Sequence, residues 1–174
     1  MFSPTIEELS KLDHVRLMLR AIELAASARK NGNKPFAALL ADMDGNIMVE
    51  AENTEFTESD STHHSEVNLM SKASRKFNKG ELGQMVMYVS AEPCAMCAGA
   101  TFFAGVRAVV FGLSGESLTP MWATEAAPEP SLLEITCRDV FDSCKGHPTA
   151  VIGPIMEEEA VVPHLGFWDD DTSH

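Results

Sequence analysis

The chain has 174 residues, 45% apolar and 22% charged, an ordinary globular mixture that excludes intrinsic disorder and a disulfide-stapled miniprotein. Thirteen basic residues against 26 acidic ones leave a net charge of −13. Such a surface repels phosphate backbones, because nucleic-acid affinity comes largely from Lys and Arg displacing condensed counterions, so RNA and DNA are not expected partners.

From Ile6 to Arg29 the apolar positions Leu9, Leu12, Leu17, Leu19, Ile22, Leu24, Ala25 and Ala28 mostly recur at spacings of three and four. They predict one amphipathic helix ending at Gly32, before Pro35. Phe36 to Ala41 and Ile47 to Ala51 flank an Asp-Gly turn and predict a β-hairpin. The polar stretch from Asn53 to Thr62 leads into His63-His64-Ser65-Glu66, where a second helix is expected to start and run to Phe77, stopping at Gly80. Met85 to Ser90 predicts a buried strand, Cys94 to Ala104 an Ala-rich helix closed by Gly105, and Arg107 to Phe111 another strand. Ser114 to Pro130 carries three prolines and Trp122 and is expected to be a loop. A short helix over Leu132 to Val140, a last strand around Thr149 to Ile152 and Ile155 to Met156, and a helix start at Glu157 to Leu165 complete the pattern. Strands separated by helices point to an α/β chain, a three-layer α/β/α sandwich with a partly parallel sheet. One domain is expected over 1–174, with its core at about 5–165 and a frayed acidic tail at 169–174.

Four cysteines, Cys94, Cys97, Cys137 and Cys144, are too few and too unevenly spread for a secreted disulfide framework. With Glu7, Glu8 and Lys11 where a leader would be apolar, and no apolar run of membrane-spanning length, a cytoplasmic location and no membrane partner are the expectation.

The densest chemistry lies in His64-Ser65-Glu66 and Pro93-Cys94-Ala95-Met96-Cys97. H-x-E followed by P-C-x-x-C is the pattern of zinc-dependent nucleobase deaminases. Cysteines three apart on the first turn of a helix share nearly one face, about 4.5 Å apart along the axis, so both thiolates can reach one ion. Pro93 suits a helix start because its missing N–H would have no intrahelical partner, and the helix N-terminus favours deprotonated thiols. With His64 as third ligand, a tetrahedral zinc keeps its fourth position for water, the arrangement of catalytic rather than structural zinc. Glu66 then serves as proton shuttle. Two positions on a helix differ by about 200°, so His64 and Glu66 must straddle its first turn. Two other readings stay open: a redox dithiol at Cys94 and Cys97, and a structural zinc closed by Cys137, Cys144 or His147.

On these motifs, and on Glu92-Pro93-Cys94-Ala95-Met96-Cys97-Ala98-Gly99-Ala100, the chain resembles the cytidine deaminase-like superfamily, in the branch holding guanine deaminases, cytosine deaminases and tRNA adenosine deaminases. The likeness covers roughly Leu17 to Gly112, with a weaker echo in Ala150 to Glu159. It implies a mixed five-stranded sheet between helices and a homodimer or higher homo-oligomer. It implies Zn2+ held by His64, Cys94 and Cys97 with Glu66 catalytic, Asn53 hydrogen-bonding the substrate base, and Phe36 lining the pocket floor. Ser65 replaces the alanine usual between His and Glu, and its backbone N–H is a further expected base contact. The segment that selects the base has no clear counterpart in Ser114 to Pro130.

The activity so implied is hydrolytic deamination of a small aminated base or nucleoside, with guanine the first expectation and cytosine close behind. A non-catalytic zinc or redox module is the alternative from another class. Bland readings accompany the rest: His63 in solvent or behind the site, Met70, Met85, Met87 and Met96 as core filler, Cys137 and Cys144 as bystanders. Trp122, Phe167 and Trp168 are read as packing before pocket closure, and Glu116 and Glu125 as weak candidates to grip a guanine-like edge.

Overall fold

In the computed structural model, residues 4–122 and 133–168 are described. In chain order they form α1 (Ile6–Leu9), α2 (His14–Lys30), β1 (Ala37–Ala41), β2 (Ile47–Glu52), α3 (Glu55–Glu58), α4 (Ser65–Ser74), α5 (Lys79–Leu82), β3 (Val86–Ala91), α6 (Ala95–Ala104), β4 (Ala108–Leu113), α7 (Gly115–Trp122), α8 (Cys137–Asp142), β5 (Ala150–Ile152) and α9 (Glu157–Ala160), followed by a 3₁₀ turn at Val162–His164. The five strands make one mixed sheet in the order β2-β1-β3-β4-β5. β1 runs antiparallel to β2 and β3, whereas β3, β4 and β5 are parallel.

Helices cover both faces because β1, β3 and β4 are buried at every position, and their alternate side chains point to opposite sides. Ala38, Leu40, Met87, Val89, Val109 and Phe111 pack on one face with Leu69, Met70 and Ala73 of α4, Ala98 of α6 and Phe141 of α8. Leu39, Ala41, Val86, Tyr88 and Val110 pack on the other with Leu17, Met18, Ala21 and Ala25 of α2. A third cluster, Ala91, Leu113, Leu118 and Ala160, closes the sheet end where β3 and β4 finish. The expected three layers are therefore present, with β3 and β4 joined by α6. No helix among the described residues is long and apolar enough to cross a membrane.

Several expected boundaries move. The single helix over Ile6 to Arg29 is two, because the Asp13 carboxylate accepts from Arg16 N–H at 3.0 Å and restarts the chain as α2. Leu19, counted on its apolar face, is exposed. Gly80 does not stop a helix; α4 ends at Ser74, and Asn78 caps a new short helix in which Gly80 lies in the first turn. The helix expected from Cys94 begins one residue later, at Ala95, with Cys94 as its N-cap. Residues 115–122 are a helix despite Pro120, an expectation that failed because a proline in so short a helix removes few hydrogen bonds. The last strand stops at Ile152, so 155–156 lie outside it. Met96 is exposed rather than core, because α6 turns Cys97, Ala98 and Thr101 inward. The tail at 169–174 lies outside the described residues.

Gly112 in β4 sits at a close approach of three elements. A Cβ there would meet Ser90 O at 2.7 Å, Ala160 Cβ at 2.9 Å and Met18 Sδ at 3.1 Å. Two of these neighbours are backbone or a short rigid side chain, so relief requires α9 or β3 to move. Gly112→Ala is expected to cost about 1–3 kcal/mol through overpacking, read as a lowered midpoint in chemical denaturation; an unchanged midpoint would show that the contact yields freely.

Candidate metal centre and its cavity

Two helix starts bring the expected residues together. His64 is the N-cap of α4 and Cys94 the N-cap of α6, both with extended backbone, while Glu66 and Cys97 lie in the first turns that follow. Neither cap makes the usual side-chain bond to its own helix, so the imidazole and the thiol are free to face each other across the gap. His64 Nδ1 lies 3.7 Å from Cys94 Sγ and 3.5 Å from Cys97 Sγ. One ligand atom from each of the three falls within 4.8 Å of the others, and among the described residues no fourth His, Cys, Asp or Glu joins them. Two soft thiols and one imidazole nitrogen converging this closely fit zinc, and the group borders a cavity.

The cysteines titrate as a pair. Hydrogen bonding from Cys97, with His64 adding to it, draws Cys94 down to about 4 against the opposing effect of burial. The same sharing, together with burial, pushes the Cys97 thiol up. His64 is raised, chiefly by its contact with Cys94 and despite burial. Burial pushes the Glu66 carboxyl up, and Cys94 adds to this while His64 opposes it. Ser65, fully buried, donates from Oγ to Glu66 Oε2 at 2.7 Å and fixes that carboxyl.

The cavity, about 320 Å³, is lined by Phe36, Leu118, Trp122 and Trp168 as apolar walls, and by Lys34, Glu55, His64, Glu66, Glu92 and Cys94 as polar ones. Of the expected site residues, Phe36, His64, Glu66 and Cys94 line it, and Cys97, Asn53 and Ser65 do not. Asn53 is buried just after β2, its backbone N–H donating to Phe36 O at 2.9 Å. His63 faces away, with Nε2 3.4 Å from Asp60 Oδ2. Cys137 donates to Glu92 Oε1 at 3.4 Å instead of approaching His64. Trp122 and Trp168 meet edge to face at 5.6 Å, and Phe167 packs on Trp168. Glu116 is exposed and off the cavity; Glu125 lies outside the described residues.

Sequence reasoning missed Lys34, Glu55, Glu92 and Leu118. Glu92 was legible as the neighbour of Pro93-Cys94, and it ties two helices down by accepting from Gly115 N–H at 3.1 Å and from the Cys137 thiol. His164 was also missed. It is fully buried beneath the wall, stacked on Trp168 and edge-on to Phe36, and neither ring nitrogen has a hydrogen-bond partner among the described residues.

With this geometry in view, comparison with known proteins gives a consistent set. The model of the cytidine and deoxycytidylate deaminase zinc-binding region matches residues 11–113. A probable cytosine deaminase of Schizosaccharomyces pombe is 38% identical over 93% of this chain and 96% of that protein. A guanine deaminase of Bacillus subtilis is 35% identical over 58% of this chain and 64% of that protein. A solved structure from a study of A-to-I editing by tRNA:A34 deaminases at the wobble position of transfer RNA superposes with a TM-score of 0.67 at 24% identity, covering 86% of this chain and 99% of that one.

The buried imidazole gives a pH test of the cavity wall. Burial, with Arg29 nearby, lowers His164 to about 4 from an ordinary 6.5. Between those values the unfolded chain binds the proton and the folded one does not, so stability is whole above pH 6.5 and falls as the pH drops toward 4. From pH 7 to 4 the wild type is expected to lose about 3 kcal/mol more than His164→Phe in denaturant unfolding; equal losses would contradict a neutral buried imidazole.

Proposed function

We propose that this chain, which belongs to the cytidine and deoxycytidylate deaminase zinc-binding family, hydrolytically removes the exocyclic amine of a small free base, cytosine first. The observation that carries this reading is the convergence of His64, Cys94 and Cys97 beside a cavity that Glu66 also lines. His64, Cys94 and Cys97 would hold the ion. Zinc bound there supplies the Lewis acidity that makes water a nucleophile at neutral pH.

The protein's own residues do the rest. Glu66, raised by burial and held by Ser65, would accept one proton from the attacking water and deliver it to a ring nitrogen, then carry the remaining hydroxyl proton of that water to the departing amine. Asn53 Nδ2, which gives one N–H to Glu55 Oε2 at 2.6 Å, keeps its other N–H for an acceptor on the base. Phe36, Trp122 and Trp168 enclose a flat ring and exclude water from it. The acidic balance of −13 supports an uncharged substrate over a polynucleotide. It does so even though related chains and structures include tRNA deaminases, because a tRNA partner needs a basic face. Cytosine leads because a relative matched over 93% of this chain at 38% identity is a probable cytosine deaminase. Guanine, the first expectation from the sequence, stands second, supported by a relative matched over a shorter stretch.

Ammonia release from cytosine, guanine, cytidine and adenine, measured side by side on wild type and Glu66→Gln, tests both halves. Wild type is expected to carry about one zinc per chain and to turn over cytosine fastest. Glu66→Gln is expected to keep the zinc and lose about 10²–10⁴-fold in turnover. Ammonia from none of the four substrates, or an undiminished Glu66→Gln, would sink the proposal.

A further inference from the structure

Glu55 opens α3 immediately after Asn53-Thr54, and its side chain is only 7% exposed although it lines the cavity. A buried carboxylate needs partners, and this one has three. Lys34 Nζ lies 2.9 Å from Oε1. Asn53 Nδ2 donates to Oε2 at 2.6 Å, and Asn53 Oδ1 in turn accepts from the Glu55 backbone N–H at 3.1 Å. The third is His64, whose Nε2 lies 3.7 Å from the same Oε2. The base of this arm is fixed as well, because Asn33 Oδ1 accepts from Phe56 and Thr57 N–H, both at 3.1 Å, anchoring the first turn of α3.

The consequence falls on the His64 ring. Its Nδ1 faces the two cysteine sulfurs and its Nε2 faces a carboxylate. A neutral imidazole has one lone pair and one N–H. With a carboxylate on the Nε2 side, the proton is favoured there, and the lone pair is left on Nδ1, toward the thiols. The other tautomer would set a lone pair against the carboxylate and an N–H against the cysteines. At 3.7 Å the contact acts through charge rather than as a formed hydrogen bond. Lys34 neutralises the carboxylate, and Asn53 occupies Oε2 from the other side. Glu55 is thereby held as an outer partner of His64 and kept from competing for the ion.

We infer that Glu55 is a positioning residue that selects Nδ1 as the nitrogen His64 offers to the metal and so raises metal affinity. This rests on the reading of His64, Cys94 and Cys97 as the metal ligands. Outer-shell carboxylates on metal-binding histidines are typically worth about 10–100-fold in affinity.

The zinc dissociation constant of the full chain, measured by competition with a chromophoric chelator, tests this without any turnover assay. Glu55→Gln is expected to bind zinc about 10–100-fold more weakly than wild type, whereas Glu58→Gln, on the exposed side of the same helix, binds as wild type does. Affinity of Glu55→Gln within about twofold of wild type, with His64→Ala losing zinc, would overturn the role of Glu55 and leave the ligand assignment standing. Wild-type affinity in His64→Ala would instead overturn the ligand assignment. Should Glu55→Gln fail to fold, long-range nitrogen–proton NMR of the zinc-loaded wild type decides alone. A protonated Nε2 on His64 supports the inference, and a protonated Nδ1 overturns it.

Discussion

The site depends on two helix starts meeting. α4 and α6 pack against each other on one face of the sheet, and each begins with a residue whose side chain is not spent on its own helix. N-cap positions have extended backbone and project sideways from the helix axis, which lets an imidazole and a thiol approach across the interface. From that constraint the rest follows. Cys97 arrives one turn later on the same side as Cys94, and Glu66 arrives two residues after His64, buried beside the group instead of within it. A change that tilted either helix would separate three atoms now within 4.8 Å of one another.

Rigidity comes from the sheet beneath. β3 leads directly into Pro93-Cys94, Phe36 stands just before β1 and Asn53 just after β2, so the cavity gathers at this end of the strands. The wall opposite the cysteines has a different origin. Leu118 and Trp122 come from α7, while Trp168 and the His164 beneath it come from the segment after α9. Tethers join these late elements to the strand ends: Glu92 accepts from the first N–H of α7, and Glu157 accepts from Ser114 N–H at 3.0 Å. The chemistry is thus built on core elements and the enclosure on peripheral ones, which is why family likeness speaks more clearly about reaction than about substrate.

Legibility in the sequence followed the same division. The central strands were plain because short continuous apolar runs between turn residues suit a strand buried on both faces and are too short for a helix. The zinc motif was plain because residue type and spacing are both demanded by coordination. The break at Asp13 was not, since periodicity continues through it and only a single cap restarts the helix. α7 was hidden by Pro120, whose cost depends on its place within the helix. Glu55 looked like one more acid in a polar stretch of an acidic chain. Its significance comes from Lys34, 21 positions away in sequence, and from His64, neither of which spacing alone connects to it. Asn33 and Lys34 beside Pro35-Phe36 were the available signal, polar residues placed next to an expected pocket wall.

The acidic balance reads differently once the cavity is known. Net charge of −13 governs what approaches the protein, whereas inside the cavity Lys34 offsets Glu55, and Phe36, Trp122 and Trp168 supply aromatic wall. On the proposed reading His64, Cys94 and Cys97 would hold zinc and leave the remaining position to water. Zinc X-ray absorption on the purified protein reads this directly. Two sulfurs, one imidazole and one further light ligand are the predicted shell; a third sulfur, from Cys137 or Cys144, or a second imidazole, from His147, would mean a closed structural site and contradict this reading.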